Sequence, residues 1–184
     1  RWGLRGRPGS APSTRGPFSC TRVALPPSPA ATFCRTAMPD THDTASALHY
    51  RIEPADLHAH LFHVTLTIAQ PAAQQRVALP VWIPGSYMVR EFAKNLQNLR
   101  ATQGRRSVPL QQLDKATWQV DAAPGKPLVL TYAVYALDNS VRTAWLDASR
   151  GFFNGTSLCL QVAGQETLPH TLELVSTRAT AAWP

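Results

Sequence analysis

Residues 58–71 read HAHLFHVTLTIAQP, and from Phe62 onward apolar and polar side chains alternate. Phe62, Val64, Leu66 and Ile68 fall on one face, His63, Thr65 and Thr67 on the other, and Pro71 closes the run. A period of two is the signature of a strand with one side against a core and one side against water. This stretch makes the chain a β protein, provided its neighbours agree.

They do. Upstream, LHYRIEP alternates from Leu48 and is expected to stop at Pro54. Downstream, QRVALPVW is a third strand interrupted at Pro80, which places a sheet edge or bulge there. The spacing of Met88, Phe92 and Leu96 predicts a short helical turn, after which NLQNLRATQ returns to strand before Gly104. ATWQVD is followed by the turn residues AAPGKP. LVLTYAVYAL, apolar on both faces and rich in β-branched and aromatic residues, is expected at the centre of a sheet. TSLCLQVAG and HTLELVS complete the set. About seven or eight strands with little helix imply an all-β fold, either a β-sandwich or a twisted open antiparallel sheet.

The net charge of +7 over 184 residues suggests a polyanion partner until its distribution is read. Residues 1–37 carry six arginines and no Asp or Glu, so twelve of the 18 basic groups face all 11 acidic groups in residues 38–184. The basicity belongs to the leader, and the body is close to neutral. Binding nucleic acid calls for a basic stripe on the folded part, and the body offers none, so no nucleic-acid partner is expected. The leader, rich in Pro, Gly and Ser and without apolar periodicity, reads as a disordered tail. Two origins fit it: sequence upstream of a true start at Met38, or an organelle-targeting leader. No apolar run reaches the roughly 18 residues of a membrane span, so no membrane partner is expected, and a cytoplasmic location is the default.

Of Cys20, Cys34 and Cys159, only the last lies in the body, which excludes a disulfide framework or a CxxC metal knuckle there. Cys159 in TSLCLQV reads as a small buried hydrophobe. His58, His60 and His63 form HxHxxH, but on a strand His63 would point away from the other two, so they read as polar residues at a strand entrance and no metal site is assigned. HExxH, GxSxG, GxGxxG and a phosphate loop are all absent from the chain. The residues supply no recognisable catalytic constellation.

Two stretches carry more aromatic and arginine side chains than plain connections need. PVWIPGSYMVREF, residues 80–92, has a Pro84-Gly85 pair that calls for a tight turn with a positive-φ glycine, aiming Trp82 and Tyr87 to the side of Arg90. ALDNSVRTAWLDASRGFFNGTS, residues 136–157, combines Arg142, Trp145, Asp147 and Arg150 with an Asn154-Gly155 pair expected to form a tight turn.

LPVWIPGSYMVREFAKNLQNLRA, followed in order by DKATWQV, YAVYALDNSVRTAWLD and GFFNGTSLCLQV, resembles the amino-terminal domain of the M61 family of peptidases, the glycyl aminopeptidases. The likeness runs from about Leu48 to Trp183 and leaves out residues 1–37. It implies a β domain that precedes a zinc domain with HExxH and a carboxy-terminal PDZ domain, in an enzyme that removes amino-terminal glycine or alanine. By that resemblance the chain is a fragment without its active site: no cofactor in this chain, and zinc held by a catalytic domain that is its partner together with the peptide substrate. Arg142, Asp147, Asn154, Gly155 and Thr156 are then expected at the rim of the substrate cleft. Trp82, Tyr87, Arg90, Glu91 and Phe92 are expected to dock on the catalytic domain. A stand-alone β-sandwich module binding a peptide or glycan is the competing reading.

Overall fold

In the computed structural model, residues 47–178, 180, 181 and 183 are described. The expected disordered tail, residues 1–37, lies outside them, and the described residues all fall within one compact unit, His42–Pro184.

The alternating segments become strands β1 (Leu48–Asp56), β2 (Leu61–Ile68), β3 (Gln74–Ala78), β4 (Leu96–Gln103), β7 (Thr117–Asp121) and β8 (Leu128–Tyr135). Between and after them stand the short strands β5 (Arg106–Val108), β6 (Leu110–Gln112), β9 (Ala144–Leu146), β10 (Gly151–Phe153), β11 (Gln161–Val162) and β12 (His170–Leu174). The large sheet has the order β12-β1-β2-β8-β4-β5, the smaller one β11-β3-β7-β6, and β9 and β10 form a hairpin of their own. Strand β8 lies between β2 and β4, at the centre of the sheet as expected, with one face buried and Val129, Thr131 and Ala133 of the other half-buried.

Leu48, Tyr50 and Ile52 of β1, Phe62, Val64, Leu66 and Ile68 of β2, and Leu128, Leu130, Tyr132 and Val134 of β8 turn to one side. Val77 of β3, Trp118 and Val120 of β7, and Val162 of β11 meet them in a single buried cluster. Two sheets sharing one core make a β-sandwich. Two buried tyrosines stitch the layers. Tyr50 donates to Leu160 O at 2.7 Å, and Tyr132 donates to Leu158 O at 2.7 Å.

Four local expectations are corrected. Strand β1 does not stop at Pro54 but runs to Asp56, because β12 pairs only with Leu48–Ile52 and leaves the rest of β1 as an edge, where proline is tolerated. The sheets are not wholly antiparallel, since β12 lies parallel to β1. TSLCLQVAG is not a strand over its length: Gly155–Leu158 forms the short helix α1, and only Gln161–Val162 pairs. The strands number more than eight because β5, β6, β9 and β10, three residues each, are too short to show a period. The helical turn after Gly85 is a 3₁₀ turn over Phe92–Asn95. Among the described residues no helix is long and apolar enough to cross a membrane.

Candidate functional site

The sandwich brings three loops to one corner. The first follows β3. Leu79 N donates to Ala116 O and so extends the smaller sheet by one bond, and the chain then leaves it at Pro80. Arg90 N donates to Val81 O at 2.6 Å and closes the loop at its base. Within it, Ser86 N donates to Ile83 O at 3.1 Å, with Gly85 at φ 77, which is the turn that Pro84-Gly85 called for. Ile83 is buried in the core and pins the loop from below. Ser86 is buried as well, and its hydroxyl donates to Met88 O at 3.1 Å and accepts from Arg90 Nε at 3.3 Å. The loop is thus held internally, while Trp82, Tyr87, Met88 and Val89 stand in water at 55%, 104%, 66% and 69% exposure.

The second loop, Asp138–Thr143, connects β8 to β9. Thr143 Oγ1 donates to Asp138 O at 2.8 Å and to Ser140 O at 2.9 Å, which fixes the turn and leaves Val141 81% exposed at its tip. Arg142 Nη2 reaches across to Gly85 O at 3.4 Å and joins this loop to the first. The third element is Asn154 with helix α1. Asn154 N donates to Thr143 O at 2.7 Å, and its side-chain amide lies 3.5 Å from Val141 O. Asn154 is not half of a tight hairpin turn. Its Oδ1 accepts from Thr156 N at 3.1 Å and from Thr156 Oγ1 at 2.6 Å, so it caps α1.

Arg142, Asn154, Gly155 and Thr156 therefore gather at this corner, beside Trp82, Tyr87 and Arg90. Two named residues do not. Phe92 is buried in the core, where its ring packs with the sandwich, so it presents no side chain to a partner. Asp147 sits at the far end of the β9–β10 hairpin. Leu146 pairs with Gly151 at that end, whereas Ala144 pairs with Phe153 at the corner end. The Asp147 carboxylate accepts from Ser149 Oγ at 2.7 Å, Trp145 Nε1 at 2.7 Å, Ser149 N at 2.7 Å and Arg150 N at 2.9 Å. The hydroxyl of Ser149 and the indole N–H of Trp145 are the main reasons its pKa is far below the ordinary carboxylate value. Glu91 is exposed and pairs with Lys115 at 3.0 Å, next to a cavity of about 450 Å³ under the loop that Val81, Val89 and Lys94 also line.

Cys159 lines a different cavity of about 360 Å³ with Tyr50, Thr156 and His170, and burial pushes its thiol up to about 11, so it stays protonated at neutral pH. His58 and His60 lie in the β1–β2 turn rather than on a strand. The Asp56 carboxylate accepts from Ala59 N and His58 N, and His60, at φ 58, directs Nδ1 to Leu146 O at 2.5 Å. The described residues do not fit a zinc ion. The sequence has no HExxH, and among the described residues no group of three or more His, Cys, Asp or Glu converges on a metal position.

Sequence reasoning missed Ser86 as the organiser of the loop and Val141 as part of the exposed corner. Ser86 had a signal: a serine directly after a positive-φ glycine is well placed to bond back into its own turn. Val141 had none, because only the Arg142–Gly85 contact shows that the two loops meet.

Residues 49–183 match the sequence profile of the Peptidase M61 N-terminal domain. The chain belongs to the peptidase M61 family. A crystal structure of an aminopeptidase N family protein from Idiomarina loihiensis resembles this M61 domain with a TM-score of 0.70 and 47% sequence identity, over 72% of this chain. The match spans 22% of that relative's length. No curated protein matches the chain. The M61 chain is accordingly a peptidase-associated β domain, and the corner of three loops exposes Trp82, Tyr87, Met88, Val89 and Val141.

Proposed function

We propose that this M61 domain is the non-catalytic amino-terminal part of a zinc aminopeptidase, docking on the catalytic domain and shaping the cleft for peptides that begin with glycine or alanine. The observation that carries this reading is the internally bonded loop Val81–Arg90, which holds Trp82, Tyr87, Met88 and Val89 in water although nothing in the sandwich needs them there. Large side chains fixed outward by a buried serine are what a docking surface presents. That the match spans 22% of a solved aminopeptidase-family relative supports a neighbour for this surface.

The rim of the cleft is assigned to Asn154, Gly155 and Thr156. Gly155 gives a clean test, since a Cβ placed there meets no atom within 4 Å. In a full-length family member carrying these positions, Gly155→Leu is expected to raise KM for glycyl peptides several-fold, while melting shifts by no more than about 0.5 kcal/mol in stability. Kinetics identical to the parent's would remove the rim assignment.

A further inference from the structure

The corner places two cations on consecutive residues of one loop. Arg142 Nη2 donates to Gly85 O at 3.4 Å, and Arg90 Nε donates to Ser86 Oγ at 3.3 Å. Neighbouring Cα atoms are roughly 3.8 Å apart, so both guanidiniums are tethered to the same short stretch of backbone. These bonds are long, and each uses one N–H of a group that carries several. Among the described residues the ion pairs are His49–Glu173, Arg51–Glu53 and Lys115–Glu91, and none includes Arg90 or Arg142. The carboxylate next to Arg90 in sequence, Glu91, is thus already engaged by Lys115. Two guanidiniums anchored on neighbouring residues make a local positive patch that an anion would neutralise.

The surroundings say which anion. Trp82 and Tyr87, on the same loop as Arg90, and Val141, next to Arg142 in sequence, are exposed at 55%, 104% and 81%. A free carboxylate from a short peptide would satisfy the guanidiniums and leave these side chains wet. A carboxylate on a protein surface would satisfy both, because the same contact desolvates the aromatics and strengthens the charge-assisted bonds. We propose that Arg90 and Arg142 form a paired receptor for an Asp or Glu side chain of the catalytic domain, at the centre of the join made by Trp82 and Tyr87. This rests on the docking reading above and adds to it the chemistry of the opposite face.

The test uses a full-length family member with these residues and follows proteolytic nicking between the two domains, with turnover of glycyl peptides bearing free or amidated carboxyl ends. Arg142→Glu and Arg90→Gln should each speed nicking about tenfold or more, and raising salt from about 0.05 to about 0.5 M should do part of the same in the parent. Arg142→Gln serves if the glutamate variant fails to fold, and the melting curve of the 184-residue chain decides that. Tyr87→Ser should speed nicking with little dependence on salt. If Tyr87→Ser opens the join while both arginine variants and salt leave it closed, the carboxylate receptor is overturned and docking stands. If no variant opens it, both fall. If the arginine variants keep the join but lose the preference between free and amidated peptides, the anion belongs to the substrate and the proposal is wrong.

Discussion

Asn154 Oδ1 accepts from both the backbone N–H and the hydroxyl of Thr156, at 3.1 and 2.6 Å. One side chain thereby starts helix α1 and holds it against the Asp138–Thr143 loop. Replacing Asn154 by Ala should cost about 1 kcal/mol in chemical denaturation, whereas Asn154→Asp, which keeps an acceptor, should cost a few tenths. Equal losses for the two would mean that the cap is not what holds this segment.

The buried tyrosines offer a sharper contrast. Tyr132 donates to Leu158 O at 2.7 Å and accepts from Leu160 N at 3.3 Å, and it is fully buried. Tyr132→Phe would strand a buried carbonyl and a buried N–H together, so a loss of about 2 kcal/mol or more is expected. Tyr50→Phe strands only its bond to Leu160 O and should cost about half as much. Burial holds both phenols above their ordinary range, so neither tyrosine should show a phenolate absorbance below the pH at which the chain unfolds.

Asp147 predicts an acid limb. Its ordinary value is 3.8, and the Ser149 hydroxyl and Trp145 indole hold the folded value lower. The unfolded state therefore takes up the proton first, so the stabilisation is complete above the ordinary value and drains away as pH falls below it. Thermal melts from pH 6 to pH 2 should show the parent losing stability toward the acid end, with Asp147→Asn losing less over the same interval. Parallel curves would assign the acid sensitivity to other carboxylates.

Cys159 should be slow to alkylate. With its thiol raised from 9.0 to about 11 by burial, the thiolate fraction at a given pH falls by roughly two powers of ten. In a chain with Cys20 and Cys34 replaced by Ser, iodoacetamide near neutral pH should modify Cys159 at least about tenfold faster in denaturant than in buffer. A native rate equal to the denatured one would mean the thiol is not held in this cavity.

Gly151 and Gly155 should part company. A Cβ at Gly151 would sit 3.1 Å from Leu146 Cδ1 and 3.1 Å from the Trp183 ring, while one at Gly155 meets open space. Gly151→Ala should cost about 1 kcal/mol and shift the Trp183 fluorescence, and Gly155→Ala should be neutral. Trp183 is fixed by its own N–H, which donates to Ala148 O at 3.0 Å.

Much of this was legible in the linear chain. The alternation at Phe62, Val64, Leu66 and Ile68 placed β2 and its buried face, and the β-branched and aromatic richness of LVLTYAVY marked β8 as a central strand. Pro84-Gly85 specified its turn, because only glycine takes φ 77 without strain. Asn154 was misread since Asn-Gly suits both a hairpin turn and a helix cap, and the choice was made by Thr156 two residues on. Phe92 was expected at the docking surface because it ends the PVWIPGSYMVREF stretch, while the 3₁₀ turn places it in the core.

Local pattern by itself determined the β class, the faces of the long strands, the turn at Gly85 and, through the ordered motifs, the M61 family. Those properties depend on the period of the backbone and on conformations that individual residues allow or forbid. Only the tertiary structure decided that Arg142 meets Gly85, that Asp147 belongs to the far end of its hairpin, and that Trp82, Tyr87 and Val141 share one corner. Contacts between residues distant along the chain arise from the packing of two sheets, and no short stretch of sequence records which loops that packing brings side by side.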